Sequence, residues 1–193
     1  MGVFAIDFME TERFGEMMAA AQATMGGLDT VLIAYGTLTD QAVAERDVHV
    51  VRRELTNNFV SAAELLTMVA AFFERQRGGR IGVVTSVAGD RGRRTNYIYG
   101  AAKAGLIAFA SGLRGRLAGA GVSVTDIRPG LVDSAMTAHL PKSALFAGAD
   151  AVGRAIYRAM DRRADVVYVP WFWRVIMFGL TSMPESLFKR VTF

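Results

Sequence analysis

The chain has 193 residues, 52% of them hydrophobic, a formal net charge of +4 and no cysteine. One domain with ample material for a core is expected, and disorder, disulfides and thiolate metal sites are excluded. The cations form no basic stripe interleaved with aromatics, so no nucleic-acid partner is expected, although acidic or phosphorylated ligands would be attracted.

Residues 3–6 are a short apolar run that reads as a strand, with Asp7 at its tip. Residues 10–25 carry Phe14, Met17, Met18 and Ala21 at helical spacing, and Gly26 and Gly27 end that helix. Residues 30–34 read as a second buried strand closing on Tyr35 and Gly36, where the glycine serves either a tight turn or a close approach of backbone to a ligand. Residues 48–75 are a long helical region with Asn57 and Asn58 inside it. His49, within it, and His139 offer no metal-ligand spacing, so no metal is expected.

Residues 80–84 read as a buried parallel strand and residues 101–117 as a helix rich in Ala and Leu. Residues 122–127 form the next strand, which delivers Arg128, Pro129, Gly130, Leu131, Val132, Asp133 and Ser134. Residues 137–149 read as a loop over the pocket, and residues 150–162 as a helix with Asp150 as its N-cap. Residues 166–169 make a final strand stopped by Pro170.

The tail, residues 171–193, is crowded with aromatics and cations, but its apolar run falls short of the ~20 residues that span a bilayer. It suits either a helix lying in a membrane interface or one packed on the core or a partner subunit. The N-terminus lacks a charged segment followed by an apolar one, so no signal peptide is expected, and the absence of cysteine suits a reducing compartment. The expected location is cytoplasmic, at the inner face of the membrane. Alternating strands and helices indicate an α/β fold, Rossmann-like, with a mostly parallel sheet and helices on both faces, in a single catalytic domain over residues 1–193.

The chemistry concentrates in residues 85–103. Ser86 follows a strand, while Tyr99 and Lys103 stand four apart and share a helix face. A free tyrosine titrates near pH ~10, and a neighbouring lysine cation favours the phenolate. A serine hydroxyl beside the phenol can hold a carbonyl or alcohol oxygen. This is equipment for moving a proton while a hydride travels to or from a nicotinamide.

At these residues the chain resembles the short-chain dehydrogenase/reductase family, which carries Tyr-x-x-x-Lys with a serine thirteen positions before the tyrosine. Here Tyr99 to Lys103 matches, Ser86 is thirteen before Tyr99, and Ser-x-Ala-Gly appears as Ser86 to Gly89. The resemblance implies that Tyr99 gives the proton, Lys103 lowers its pKa and holds the nicotinamide ribose, and Ser86 fixes the carbonyl oxygen. It also implies that Asn58, with Asn57 as its adjacent competitor, supports a water relay. NADPH or NADH is the implied cofactor. Asp7 would lie beside the adenine, Ala34 and Gly36 in the cofactor-lining turn, and Pro129, Gly130, Val132 and Ser134 against the nicotinamide, with serine where the family has threonine. The family's long helices commonly pair between subunits, implying a homo-oligomer.

The residues around Arg91, Arg93, Arg94 and His139, with the aromatic tail, look most like the branch of that family that reduces a keto-arabinose carried on decaprenyl phosphate in mycobacterial cell-wall synthesis. A lipid-linked keto sugar is then the implied substrate, with a peripheral membrane contact through the tail, and one of Arg91, Arg93 and Arg94 pairing with its phosphate. The family's opening strand and Gly-x-x-x-Gly-x-Gly turn, which cradles the pyrophosphate, have no counterpart here. In the family's strand order the chain begins at the third strand. The expectation is therefore a sequence truncated at its N-terminus or a sheet that closes the gap differently. Two other readings stay open: a partial or non-catalytic subunit with a relic site, and a reductase of a soluble ketone or alcohol.

Overall fold

The structure is a computed structural model and describes residues 2–191, so the last two residues of the tail lie outside it. After a single 3-10 turn come α1 (Phe14–Met25), β1 (Thr30–Ile33), α2 (Gln41–Ala44) and α3 (Val48–Leu55). A π-turn, Thr56–Val60, joins α3 to α4 (Ser61–Gln76). Then follow β2 (Gly79–Val84), α5 (Tyr97–Leu117) and β3 (Val122–Pro129). The two-residue strands β4 (Val132–Asp133) and β5 (Ala147–Gly148) pair with each other. Last come α6 (Ala149–Asp161), β6 (Val166–Val169), α7 (Trp173–Ser182) and α8 (Glu185–Phe188).

The main sheet runs β1-β2-β3-β6 and every pairing in it is parallel. Alternate side chains of the strands face opposite layers. Ile81, Val83 and Val124 pack under α1, α4 and α5 with Phe14, Leu66, Phe73, Leu106 and Leu117. On the other face Ile127 and Val169 meet Val152 of α6. The α/β fold with helices on both faces is therefore present. By length and composition the run Val48–Gln76 could cross a membrane, but Leu65, Leu66, Val69 and Phe73 within it are core residues.

Four expectations are corrected. Residues 3–6 form no strand, because no neighbouring strand takes up their backbone hydrogen bonds; Ile6 and Phe8 instead lend side chains to the core. The strand at residues 30–33 is an edge rather than a buried strand, with Leu32 44% exposed. Helix α6 is preceded by Gly148 in the N-cap position, and Asp150 sits inside the first turn, where its charge still favours the helix N-terminus. The stretch at residues 137–149 is not wholly a loop, since Ala147 and Gly148 make β5.

The tail packs on the core. Trp173 and Met177 are buried against Val87, and Phe188 is buried too. The outward face of α7 still shows Val175 and Phe178 to solvent, beside the exposed Trp171 that precedes the helix, so the helix is apolar on both sides.

Candidate active site

A parallel sheet delivers its loops to one edge, and ligands bind there. The carboxyl ends of β1, β2 and β3 bring together residues 34–37, the loop from Thr85 to Asp90, and the Pro129–Gly130 turn. The α5 helix begins at Tyr97, earlier than the sequence pattern indicated, which sets Tyr99 in its first turn and Lys103 one turn further on.

Lys103 is buried, and its Nζ donates to the carbonyl oxygen of Val84, the last residue of β2, at 3.0 Å. Burial pulls its pKa down from 10.5 to about 8. Burial pushes the Tyr99 phenol up, against the downward pull of a hydrogen bond with Ser86 and of the charge on Arg93. The lysine ammonium lies 5.7 Å from the centre of the tyrosine ring. The Ser86 hydroxyl accepts from the Ala88 amide at 3.1 Å, capping the short turn at Val87–Gly89.

Asn58 lies in the π-turn, which rotates it inward, and it is buried. Such turns interrupt helices where a site needs a side chain redirected. Its Oδ1 accepts from the Thr37 amide at 2.9 Å, and its Nδ2 donates to the Glu54 carbonyl and carboxylate, both at 3.1 Å. Asn57 is half-buried and donates to the Thr37 hydroxyl at 3.0 Å. Glu54, also buried, accepts from the hydroxyls of Thr37 and Thr39. Asn58 therefore ties the loop after β1 to the helix. A Cβ on Gly36 would stand 2.6 Å from Asn58 Oδ1 and 3.6 Å from Lys103 Nζ. That close approach, rather than a tight turn alone, is what the glycine serves.

Pro129 is buried at the end of β3, and the Gly130 amide donates to the Val169 carbonyl at 3.0 Å. The indole of Trp173 lies on Gly130 so closely that a Cβ there would fall 1.9 Å from its Nε1. Gly130→Ala is expected to cost about 1–3 kcal/mol by overpacking, read as a lowered Tm with altered tryptophan emission. Val132 lies in β4; the Ser134 amide donates to Thr137 Oγ1 at 3.3 Å. Ala34 is exposed at the end of β1.

Two expected placements change. Asp7 is exposed in a turn, its carboxylate accepting from the Met9 amide at 2.9 Å, and it sits on no strand. Arg91 does not open toward a substrate. Its guanidinium donates to the Met183 carbonyl at 2.6 Å and to Glu185 at 2.7 Å, and stacks 3.7 Å from the Phe188 ring centre. It also reaches the Leu180 carbonyl, so it satisfies the end of α7, whose last carbonyls lack helical partners. Arg93 and Arg94 remain beside the site, on a cleft closed by α8.

Sequence reasoning missed a second network. Arg128 donates to Asp126 at 2.8 Å, to Asp90 at 2.8 Å and to the Tyr168 hydroxyl at 3.0 Å, and Tyr168 donates to Asp90 at 3.0 Å. The Thr85 hydroxyl donates to Asp126 at 2.6 Å. Thr85 and Asp90 flank Ser86, so both ends of the serine loop are fastened to β3. Two charged residues two apart in an apolar strand were the available signal.

Among the described residues no group of three His, Cys, Asp or Glu could hold a metal. Gly26 and Gly27 border a hollow with Asp29 and Thr30 at the amino end of β1, the edge of the sheet away from Lys103.

The short chain dehydrogenase family profile matches residues 1–144. The chain is 37% identical over 177 residues to an uncharacterized oxidoreductase of Mycobacterium tuberculosis, covering 92% of this chain and 71% of that one. It is 36% identical to an uncharacterized oxidoreductase in the mprA 5′ region of Streptomyces coelicolor, covering 86% of this chain and 66% of that one. Among solved structures it is similar to a short chain dehydrogenase from Burkholderia cenocepacia in complex with NADP, with TM-score 0.83 and 22% identity over 99% of this chain and 80% of that one.

Proposed function

The chain belongs to the short chain dehydrogenase family, and from that membership we propose that it is an NAD(P)H-dependent oxidoreductase that reduces a ketone to a secondary alcohol. The observation that carries the reading is the convergence of Ser86, Tyr99 and a buried Lys103 fixed to the end of β2. A buried ammonium with a single carbonyl partner is costly to the fold and useful to a polyol or phenol beside it.

The cofactor fits this chain in part. Lys103 has N–H donors beyond the one given to Val84, enough to hold ribose hydroxyls, and Tyr99 stands beside it. Pro129, Gly130, Val132 and Ser134 would border the nicotinamide, with Ala34 and Gly36 along its other side. Among the described residues no glycine-rich turn sits at this edge to cradle the pyrophosphate. When bound, the cofactor supplies a hydride for the carbonyl carbon. The chain's own part is acid catalysis and positioning. The Tyr99 hydroxyl gives its proton to the carbonyl oxygen, and Ser86 donates a hydrogen bond to that same oxygen. Arg93 lowers the cost of the resulting phenolate, and Lys103 holds a proton nearby that can restore it. Asn58, bonded to the Thr37 amide and to Glu54, fixes the loop at Gly36 beside Lys103.

The finer reading is a keto sugar carried on a lipid phosphate. It is supported by the apolar outward face of α7, Val175 and Phe178, with Trp171 just before the helix, close in sequence to the exposed cations Lys189 and Arg190. The competing reading, a partial subunit needing a cofactor segment from elsewhere, is favoured by the lack of a phosphate cradle at this edge among the described residues.

Titration of the chain with NADPH and NADH, followed by nicotinamide fluorescence, tests the proposal. Saturable binding is expected, with ketone-dependent oxidation of the cofactor that Tyr99→Phe abolishes while binding persists. No binding up to millimolar cofactor would overturn the enzyme reading of this chain and favour the partial subunit.

A further inference from the structure

The cleft between residues 92–94 and α8 has a volume of about 230 Å³ and is lined by Arg93, Arg94, Glu185, Phe188 and Lys189. That is smaller than the ~300–1,000 Å³ of sites that enclose a whole drug-sized ligand, so it suits a head group. Its charge is unbalanced. Glu185 is engaged by Arg91 at 2.7 Å, and among the described residues no carboxylate forms an ion pair with Arg93, Arg94 or Lys189. The Nε of Arg93 is enclosed with no hydrogen-bond partner. A guanidinium donor hidden from water and left unpaired is unfavourable unless something fills the gap. A planar donor fork matches a phosphate or carboxylate, and an ammonium on the facing wall adds a point charge. Arg91 contributes by position: bound to the end of α7 and stacked on Phe188, it holds the wall that carries Lys189.

We propose that Arg93, Arg94 and Lys189 form a site for an anionic group of the substrate, a phosphate or a carboxylate, held next to the catalytic phenol. The inference rests on the reading of Tyr99 as the proton donor: the Asn96 amide donates to the Arg93 carbonyl at 3.1 Å, and that turn opens directly into the first turn of α5, where Tyr99 stands.

Inorganic phosphate and, separately, acetate are titrated calorimetrically into the wild-type chain and into Arg93→Gln and Lys189→Gln. Saturable binding of one of them is expected, weakened at least about tenfold in each variant, since a hydrogen bond to a charged group contributes ~1.5–3 kcal/mol. Lys189 is exposed, so its variant folds even if Arg93→Gln does not. No saturation by about 10 mM, beyond the ~1 mM that corresponds to about 4 kcal/mol of binding, overturns the site. So does binding that ignores both variants. If phosphate binds, a soluble sugar phosphate and vesicles containing phosphatidic acid are used to displace it. Displacement by the ester alone assigns a soluble substrate, and displacement by the vesicles assigns a lipid-borne one. Displacement by neither shows an adventitious ion only and overturns the proposal. Tyr99→Phe keeps phosphate binding and loses turnover. Should it keep turnover, the reaction reading fails while the cleft stands; should neither phosphate nor acetate bind while Tyr99→Phe is inactive, the cleft fails alone.

Discussion

Lys103→Met should stabilise the chain at pH 7 by about 2–3 kcal/mol and at the same time lower turnover by ~10²–10⁴-fold, the range of a lost acid–base contribution. Lys103 is 3% exposed, and among the described residues its hydrogen-bond partner is a backbone carbonyl. Its pKa falls from 10.5 to about 8 through burial alone. The unfolded chain therefore keeps this proton to higher pH than the folded chain does. Below about pH 8 both states carry it, and the fold bears the full cost of an enclosed ammonium. Between about 8 and 10.5 the unfolded state binds more protons, so stability rises with pH as the cost is relieved. At ~1.36 kcal/mol per pH unit the cost is about 3 kcal/mol, from which the lost bond to Val84 subtracts ~1 kcal/mol. Methionine fills a similar volume without the charge. Urea unfolding of both proteins at pH 7 and above pH 10 measures the effect: the advantage of the variant should be large at pH 7 and vanish at the higher pH. An equal loss of stability at both would show that the ammonium is not a burden on the fold. A residue whose removal strengthens the fold while disabling the reaction is retained for chemistry.

The spacing of Ser86, Tyr99 and Lys103, the trio proposed to be catalytic, was legible because it is imposed by the backbone. A strand end, a loop of set length and one helical turn bring Ser86, Tyr99 and Lys103 together however the remainder of the sheet is arranged. Asn58 was legible by distance along the chain, but its burial needed the π-turn, which no residue type in the sequence announces. Glu54 stands four before Asn58 and shares its face, a pattern that a solvated helix shows equally well. Thr37 and Thr39 carry no signal at all until the loop folds back on α3. Arg91 misled because it lies in sequence between Ser86 and Tyr99, whereas its partners, Met183 and Glu185, come from the tail. Residues 3–6 misled for a different reason. Apolar alternation describes what a strand would bury, but strand formation depends on a neighbour to receive its hydrogen bonds.

Arg128→Met should cost about 3–5 kcal/mol, the usual loss when one partner of a buried ion pair is removed. The side chains of Asp126 and Asp90 are 1% and 5% exposed, and both would keep their carboxylates without the guanidinium that now bridges them. Burial already pushes the Asp90 carboxyl up, and Arg128 is the first of the partners that hold it down. Its folded pKa lies above its unfolded value. The penalty is thus complete at neutral pH and is relieved as pH falls through the folded value, where the folded state takes up the proton first. The deficit of the variant, measured by urea unfolding, should accordingly shrink from pH 7 toward pH 4. A deficit independent of pH would mean that lost packing, not uncompensated charge, is responsible. Replacing all three members together, Asp90→Leu, Asp126→Leu and Arg128→Met, should recover much of the stability, because apolar residues of similar volume often substitute for a buried ionic cluster at no loss. Activity should not return with it. Thr85 would lose its acceptor on Asp126, Asp90 would no longer fasten the far end of the loop, and Ser86 between them would be free to drift from the Tyr99 phenol. What the cluster then contributes is the position of one hydroxyl, since a site loosened by about 1 Å can lose ~10²-fold in rate while the fold around it stays intact.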